Sequence, residues 1–542
     1  MTHRFTTRPR GGPSEARARA SARASTVRKA LIAVSAVLIL AACGSGGSSS
    51  GGGPAPKSGP VRGGNLVFAA VQDAQSMNAT TVFDNNSIWI FEQIYQTLYT
   101  VTNDGKSVRP QLATSYTVSK DKKTYTFKLR HGVKFSNGKP LTSADVKFSI
   151  DQNRKATQGW AYIDSAIKSV GAPSPDTVVI HLKFTWAPLL ADLSFFANGV
   201  VPNNYGGETE TQFYTHPVGT GPFKWAYWHK GSALKLVRNP LYWEKGKPYL
   251  NSVTWTDVAN DNTRQLQIKA GQAQIDQFPA WSTVSSLKST SGVTMNLFNS
   301  TQTNYLAFNE LHKPFQDVHV RRAISLAIDR KALVKAVLFG NGKPANSLFP
   351  PQVPFYDANT PGLQFNLKQA KAEMAKSSVP HGFSTSILIP AGNSDYKTIS
   401  TILQSELKPL GIKVKITQLD PNVANNDFQV QKYDMALSLW TMDIPDPDEL
   451  ATFAVDPKSG AKSFFTSYNN PTVVKDTHLA ETTTDPAKRQ QLYNTIQTGA
   501  ANDAFMAYLY YSPYPYATTS KVHDFFVTPL GNMHMENVWL SK

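Results

Sequence analysis

Hydrophobic positions along this chain fall into short apolar runs, strictly alternating stretches and helix-spaced repeats, separated by Gly, Pro, Asn and Asp turn signals. The run Leu66-Val67-Phe68-Ala69-Ala70-Val71, after Gly63-Gly64-Asn65, predicts a buried strand. Ile88, Phe91, Ile94, Tyr95 and Leu98 recur at helical spacing and predict an amphipathic helix. Tyr116-Thr117-Val118, a turn at Ser119-Lys120-Asp121-Lys122, and Tyr125-Thr126-Phe127-Lys128-Leu129-Arg130 read as a hairpin. In its second arm Tyr125, Phe127 and Leu129 point inward and Thr126, Lys128 and Arg130 outward. Beyond the Asn137-Gly138 turn, Thr142 and Asp145 have capping-box spacing and start a helix through Val146 and Ile150. Val178, Ile180 and Leu182 mark a further strand.

The second half alternates helix and strand, which is the α/β pattern. Thr303-Asn304-Tyr305-Leu306-Ala307-Phe308 opens it. Val320, Ala323, Ile324, Ala327 and Ile328 form one apolar helix face, with Arg321 and Arg322 off it. Asp329 caps a second helix that Gly340 closes. A helix near 398–407, the break Pro409-Leu410-Gly411 and the alternating strand Ile412-Lys413-Val414-Lys415-Ile416-Thr417 follow. The apolar run Tyr433-Asp434-Met435-Ala436-Leu437-Ser438-Leu439 reads as a buried strand, and a helix around 489–496 precedes the apolar run 505–511.

One stretch concentrates candidate chemistry: Leu439-Trp440-Thr441-Met442-Asp443-Ile444-Pro445-Asp446-Pro447-Asp448. It joins an aromatic plate, a carboxylate and two prolines in a loop leaving a strand, and such loops carry function because a rigid scaffold aims them. Two readings stand on the residues alone. Trp440 and Asp443 line a ligand cleft, or Trp440 is core and Asp443 caps a turn.

Composition places the chain among globular proteins, with 41% hydrophobic and 11% aromatic residues over 542 positions. Since single cores stop growing beyond about 250 to 300 residues, two or three lobes are expected. The net charge of +17 is less basic than it looks. Residues 1–42 carry eight Lys or Arg against Glu15 alone, so they account for +7 and leave +10 on the rest. No Lys/Arg cluster with interleaved aromatics marks a nucleic-acid surface, and no nucleic-acid partner is expected.

The N-terminal charge has a reason of its own. A basic region ending in Arg28-Lys29 precedes an apolar run over 30–40, too short for a mature transmembrane helix but right for a signal-peptide core. It ends in Leu40-Ala41-Ala42-Cys43, which resembles the bacterial lipobox, whose cysteine is lipidated and becomes residue one after cleavage. Two acyl chains anchor firmly where one binds only marginally. A Gly/Ser-rich tether follows, and no later run approaches the roughly 18 apolar residues of a spanning helix.

Catalytic constellations are scarce. The sequence has no His-Glu-x-x-His, no Gly-x-Ser-x-Gly and one cysteine, Cys43, so an intramolecular disulfide or cysteine metal site is excluded. The eleven histidines lack ligand spacing. Asp443, Asp446, Asp448 and Glu449 lack the EF-hand pattern, and Asp446-Pro447 reads as a turn. Gly219-Thr220-Gly221-Pro222 suits a tight bend and lacks the Lys-Ser/Thr of a phosphate loop. No metal, cofactor or enzymatic activity is expected. A hydrolase built on Asp443 would need an acid/base pair or nucleophile that the sequence does not identify.

Several blocks together resemble the family 5 extracellular solute-binding proteins of ABC importers, which include dipeptide, oligopeptide and nickel-complex binders. They are 124–135 (Thr-Tyr-Thr-Phe-Lys-Leu-Arg-His-Gly-Val-Lys-Phe), Asn137-Gly138-Lys139-Pro140-Leu141-Thr142, Gly219 to Phe223 with Arg238-Asn239-Pro240-Leu241-Tyr242-Trp243, Phe308-Asn309 with Pro314-Phe315, and 320–330. The resemblance implies an α/β, two-lobed periplasmic-binding-protein fold of the class II, Venus-flytrap kind, with an extra subdomain inserted in the first lobe. The implied division is signal peptide 1–42, tether 43–60, lobe I 61–303 with the subdomain at about 86–204, lobe II 304–510, and a return to lobe I at 511–542.

The same resemblance implies a substrate-binding component, expected to be monomeric, held by Cys43 on the outer face of the cell membrane. It would deliver its solute to permease subunits served by a cytoplasmic ATPase. Trp440-Thr441-Met442-Asp443 and Asp446-Pro447 match the Trp-x-x-Asp-x-x-Asp-Pro pattern of peptide-binding members, in which the first carboxylate accepts the ligand's α-ammonium. Trp440, Thr441, Met442 and Asp443 are therefore the expected ligand-binding residues. One departure shapes the expected ligand. Dipeptide binders place an Arg for the ligand carboxylate just after a strand that here is Ser386-Ile387-Leu388-Ile389-Pro390, yet Ala391-Gly392-Asn393-Ser394-Asp395-Tyr396 has none. Oligopeptides are thus expected over dipeptides, with an oligosaccharide, another amine or a metal-chelate complex as the alternative.

Overall fold

In the computed structural model, which describes residues 59–459 and 461–542, the first apolar run becomes the strand Asn65–Ala70 at the centre of a seven-stranded sheet. The expected signal peptide, most of the tether and Cys43 lie outside the described residues. The sheet runs in the order Val293–Phe298, Tyr514–Thr519, Ile275–Gln277, Asn65–Ala70, Ser252–Asp257, Ala233–Arg238, Phe223–His229. The central strand pairs in parallel with both neighbours, and the outer pairings are antiparallel.

A second sheet of six strands orders as Lys343–Pro344, Met506–Tyr511, Thr303–Phe308, Met435–Trp440, Ser384–Pro390, Lys413–Leu419. The two sheets are the frames of two lobes. Two connections cross between them: one follows Phe298 and enters the strand at Thr303, and the other leaves Tyr511 and re-enters the first sheet at Tyr514. The crossings are stitched together, because Ser300 Oγ donates to the Ser512 carbonyl and Asn304 Nδ2 donates to Ser512 Oγ (3.1 Å).

A four-stranded antiparallel sheet, ordered Ala113–Val118, Thr124–Leu129, Thr177–Leu182, Ile167–Ser174, interrupts the chain between strands of the first sheet. The helix Ser143–Asn153 covers it, and Val146 and Ile150 join Phe127, Leu129, Val178 and Ile180 in a core of its own. The capping box is formed: Thr142 N–H donates to Asp145 Oδ2 (2.7 Å).

Period-two alternation separates the two faces of the second sheet. In the paired strands Thr303–Phe308 and Met435–Trp440, Leu306, Phe308, Met435 and Leu437 pack with Ile324, Ile387 and Leu403 on one face. Tyr305, Ala307, Ala436 and Trp440 fall on the other, in the hydrophobic cluster shared by both lobes.

Two expectations need correction. The helix expected through Leu98 spans only Asn85–Phe91. The carbonyls of Gln93 and Ile94 instead accept the N–H groups of Phe223 (3.1 Å) and Gly221 (2.8 Å), so the chain leaves the helix to pair sideways with the Gly219-to-Phe223 bend. Arg321, though off the apolar face of its helix, is not turned to solvent. It is buried, donating to the carbonyls of Phe315 and Asp503 and lying 3.1 Å from Glu310, so it closes loop and helix ends that periodicity cannot see.

The glycine bend is a steric requirement. A Cβ on Gly219 would lie 2.0 Å from the Ile94 carbonyl oxygen, and one on Gly221 would lie 2.5 Å from that of Gln93. Gly219→Ala is expected to destabilise the folded chain by about 1–3 kcal/mol, the usual cost of overpacking. Denaturant unfolding should report it as a lower midpoint with an unchanged slope.

Candidate functional site

Trp440 ends its strand opposite Thr303, where the second sheet meets the crossing. The loop that follows is fixed at nearly every residue. Asn85 Nδ2, from the first lobe, donates to Thr441 Oγ1 (3.0 Å). Met442 N–H donates to Thr301 Oγ1 (2.9 Å) in the crossing segment, and its side chain is fully buried, off the cavity wall. The N–H groups of Asp443 (2.8 Å) and Ile444 (3.0 Å) both donate to Glu449 Oε2, in the first turn of the helix Asp448–Val455.

Asp446 proves to be more than a turn residue. It accepts both arms of the Arg489 guanidinium at 2.9 Å each, in a buried bidentate pair that also receives the Asp448 N–H (3.0 Å). Arg489 lies on the helix Pro486–Asp503 and donates further to Ala480 O and Tyr493 Oη. Nothing in the local spacing couples positions 446 and 489, so only the tertiary fold reveals this partner.

A cavity of ≈ 260 Å³ lies between the lobes, and Trp440, Thr441 and Asp443 line it. Aromatic plates form much of its wall. Trp440 packs against Phe453 (4.8 Å between ring centroids) and edge-on to Phe464 (4.6 Å), while Trp160, from the inserted region, stacks on Phe453 (5.0 Å). Phe83, Trp89 and Trp281 also contribute from the first lobe. The Nε1 of Trp440 is buried with no partner.

The charges of the wall are one-sided. Asp84, Asp261, Asp395 and Asp443 line it, against one cation, Arg264. That guanidinium is committed to its own chain: it donates to Asp276 Oδ1, and to the carbonyls of Gln277, Val258, Ala259 and Phe278. Asp443 is 5% exposed, and its Oδ1 accepts no N–H among the described residues. Burial holds its carboxyl well above the usual range, and the nearby Glu449 and Glu92 push it further, Glu449 also through a bond between the two carboxyl groups. Burial likewise raises Glu449 to about 8, although the two backbone N–H groups it accepts favour its charged form. Asp443 and Glu449 therefore titrate as a pair that disfavours two full charges.

The lobes touch directly across the cavity mouth. Asp261, in the first lobe, accepts the Ser394 N–H from the second (3.1 Å), and Asp395 of the second accepts the Trp281 N–H from the first (3.2 Å). Tyr162 Oη donates to the Glu449 carbonyl (2.9 Å). Asp84, Asn85, Trp160 and Glu449 escape sequence reasoning as site residues. The Asp84-Asn85-Asn86-Ser87 run before Ile88 signals a helix start, which Asp84 indeed caps, but says nothing of a cavity. Among the described residues no group of three or more His, Cys, Asp or Glu is arranged to hold a metal ion. No helix among them is long and apolar enough to cross a membrane.

Comparison with known proteins agrees with this two-lobed arrangement. Residues 107–462 match the family model described as "Bacterial extracellular solute-binding proteins, family 5 Middle". The chain is 30% identical over 479 residues to the probable D,D-dipeptide-binding periplasmic protein DdpA of Escherichia coli K12, covering 86% of this chain and 92% of the relative. Its fold superposes on the periplasmic binding protein DppA of Helicobacter pylori in complex with the peptide STSA, with a TM-score of 0.82, 26% identity, and coverage of 89% of this chain and 99% of the other. The oligopeptide-binding protein AppA of Bacillus subtilis, in complex with a nonapeptide, gives a TM-score of 0.82 at 25% identity, covering 89% of this chain and 100% of the other.

Two outcomes follow from the buried acids. Arg489→Met strips Asp446 of its partner, and losing one member of a buried pair costs about 3–5 kcal/mol, measurable by denaturant unfolding. The second concerns pH. Folding raises Asp84 to about 6, Glu92, Asp276 and Asp395 to about 7, and Glu449 to about 8, from ordinary values of 3.8 (Asp) and 4.5 (Glu). Between those limits the folded state binds more protons than the unfolded, so stability falls as pH rises. The melting temperature of the ligand-free protein should drop from pH 5 to pH 8, and Glu449→Gln should flatten that slope.

Proposed function

The chain belongs to the family 5 bacterial extracellular solute-binding proteins, and from that premise we propose that it captures peptides, oligopeptides over dipeptides, between its lobes and hands them to the permease of an ABC importer. Residues 61–303 and 511–542 then form lobe I and 304–510 lobe II. Closure on a ligand follows if the ligand binds the closed state better than the open one. Retention at the membrane surface through a lipid on Cys43 belongs to the same proposal.

The observation that carries the reading is buried Asp443 on the cavity wall, paired with Glu449 and with no cation beside it among the described residues. A peptide's α-ammonium loses its water on entering such a cleft, and a charge-assisted partner compensates. The aromatic plates around it offer apolar surface for side chains. Thr441, with Oγ1 already receiving Asn85, supports the loop as well as lining the cavity. Met442 contributes through its backbone bond to the crossing, which holds Asp443 in place. The absence of an uncommitted cation on the wall favours ligands whose carboxyl terminus is not clamped.

The aromatic wall also supports the alternative of an oligosaccharide, another amine or a metal-chelate complex, since planar rings stack on many solutes. Native mass spectrometry of gently purified protein separates the two: a peptide mass series supports the first, and a hexose series or metal-containing adduct the second. For the anchor, Asp443→Ala is expected to weaken tetrapeptide binding by roughly 10- to 100-fold, the worth of one hydrogen bond to a charged group. Unchanged affinity in calorimetry would remove Asp443 from that role.

A further inference from the structure

The peptide reading concerns one positive charge, and the cavity is built for more than one. Resting on that reading, we infer that the cavity selects peptides carrying a second cationic group, received by a subsite around Asp84. Asp84 is 4% exposed and lines the same cavity from the first lobe, whereas Asp443 lines it from the second. Its Oδ1 accepts the Ser87 N–H (2.9 Å) and caps the helix Asn85–Phe91, so half of the carboxylate has a structural task. Its Oδ2 is buried and has no partner.

The Ser87 hydroxyl, which accepts the Gln75 and Ser76 N–H groups, also bonds to this carboxylate, and the other neighbours add no donor to it. Asn85 Nδ2 is given to Thr441, Asn86 Nδ2 to the Gln72 carbonyl, and Gln277 Nε2 to Asn86 Oδ1. A buried acceptor left unmade costs more than a made bond gains, and of the unpartnered carboxylate oxygens among the described residues only those of Asp84 and Asp443 belong to residues lining this cavity, so a donor brought by a ligand has a place at Asp84. Phe83 and Trp89 line the wall beside it, apolar surface suited to the methylene stem of a Lys or Arg side chain.

The rest of the wall argues in the same direction. Among the described residues no Lys or His lines the cavity, and Arg264, the one cation there, spends its guanidinium on Asp276 and four carbonyls. A chain that carries +10 beyond residue 42 has thus placed four aspartates and one committed arginine around its cavity. Two of the lining aspartates, one on each lobe, keep a buried oxygen without a partner among the described residues, and the lining there offers a ligand carboxylate no uncommitted counter-charge.

Calorimetry on ligand-stripped mature protein tests this with tetra-alanine, its set of single lysine and single glutamate replacements, and tetra-alanine amide. The best lysine peptide is expected to bind at least tenfold tighter than tetra-alanine. The glutamate peptides should bind more weakly, and the amide no worse. Asp84→Asn and Asp84→Ser, which both retain an oxygen to cap Ser87, should bring the lysine peptides down to the affinity of the alanine peptide. Tetra-alanine binding with no lysine preference, or a preference that survives both variants, overturns the inference and leaves the peptide reading standing. If none of the tetrapeptides binds, the peptide reading falls and the inference with it.

Discussion

A carboxylate cannot be taken out of water without something replacing the water, and the loop after Trp440 buries four of them within seven residues. Each is handled differently. Asp446 receives a bidentate arginine, Asp448 accepts the Thr452 hydroxyl (3.3 Å), Glu449 receives two backbone N–H groups, and Asp443 shares its surroundings with Glu449 while its Oδ1 accepts no N–H among the described residues. The bonds to Asp446 and Glu449 make the loop rigid. Asp443 is the one of the four on the cavity wall. Because Glu449 holds the N–H of Asp443 itself, the rigid part and the cavity wall are adjacent along one backbone.

The rest of the fold serves to bring that loop to the gap between lobes and hold it there. Pairing with Thr303–Phe308 fixes the register of Met435–Trp440, and a one-residue slip would turn Trp440 to the opposite face. Thr301 then ties Met442 to the crossing segment, so the loop is attached to the chain that joins the lobes as well as to its own sheet. From the other side, the inserted region contributes Trp160 to the aromatic wall and Tyr162 to the Glu449 carbonyl. The glycine bend at 219–221 sets where that side of the first lobe begins, by pulling the chain out of helix after Phe91.

What the sequence discloses here follows the range of the forces involved. Strands whose faces alternate, such as Thr124–Leu129 and Lys413–Leu419, and helices with caps, such as Ser143–Asn153, are legible because their signals are local. The two-lobed class is legible from many weak blocks read together, as the family match agrees. Where a long-range contact overrides local preference the reading fails. The helix expected to run to Leu98 ends early because Gly221 and Phe223 capture its carbonyls, and Arg321 is buried by acceptors near positions 315 and 503. The Trp440-to-Asp446 stretch stands out for its composition, yet its partners Asn85, Thr301 and Arg489 are scattered through the chain. Asp84 looks like an ordinary helix cap from sequence and is one, so its second oxygen becomes noticeable only once the cavity is drawn.

Arginine shows most sharply why residue type alone is a weak guide to the site. The stretch after Pro390 lacks the arginine that dipeptide binders of similar sequence lead one to expect, while the fold brings Arg264 to the cavity wall from the other lobe. Counting charges near the wall would make it a clamp for a ligand carboxylate. Counting donors gives the opposite answer: five acceptors of its own chain surround it, and burial lowers its affinity for a proton despite Asp276 beside it. It fixes the backbone at Val258, Ala259 and Phe278, and so shapes the wall on which Asp261 meets Ser394 of the opposite lobe. A guanidinium spent on geometry leaves the field of the cavity to its aspartates. The same arrangement that holds the lobes in register therefore makes the space between them receptive to positive charge.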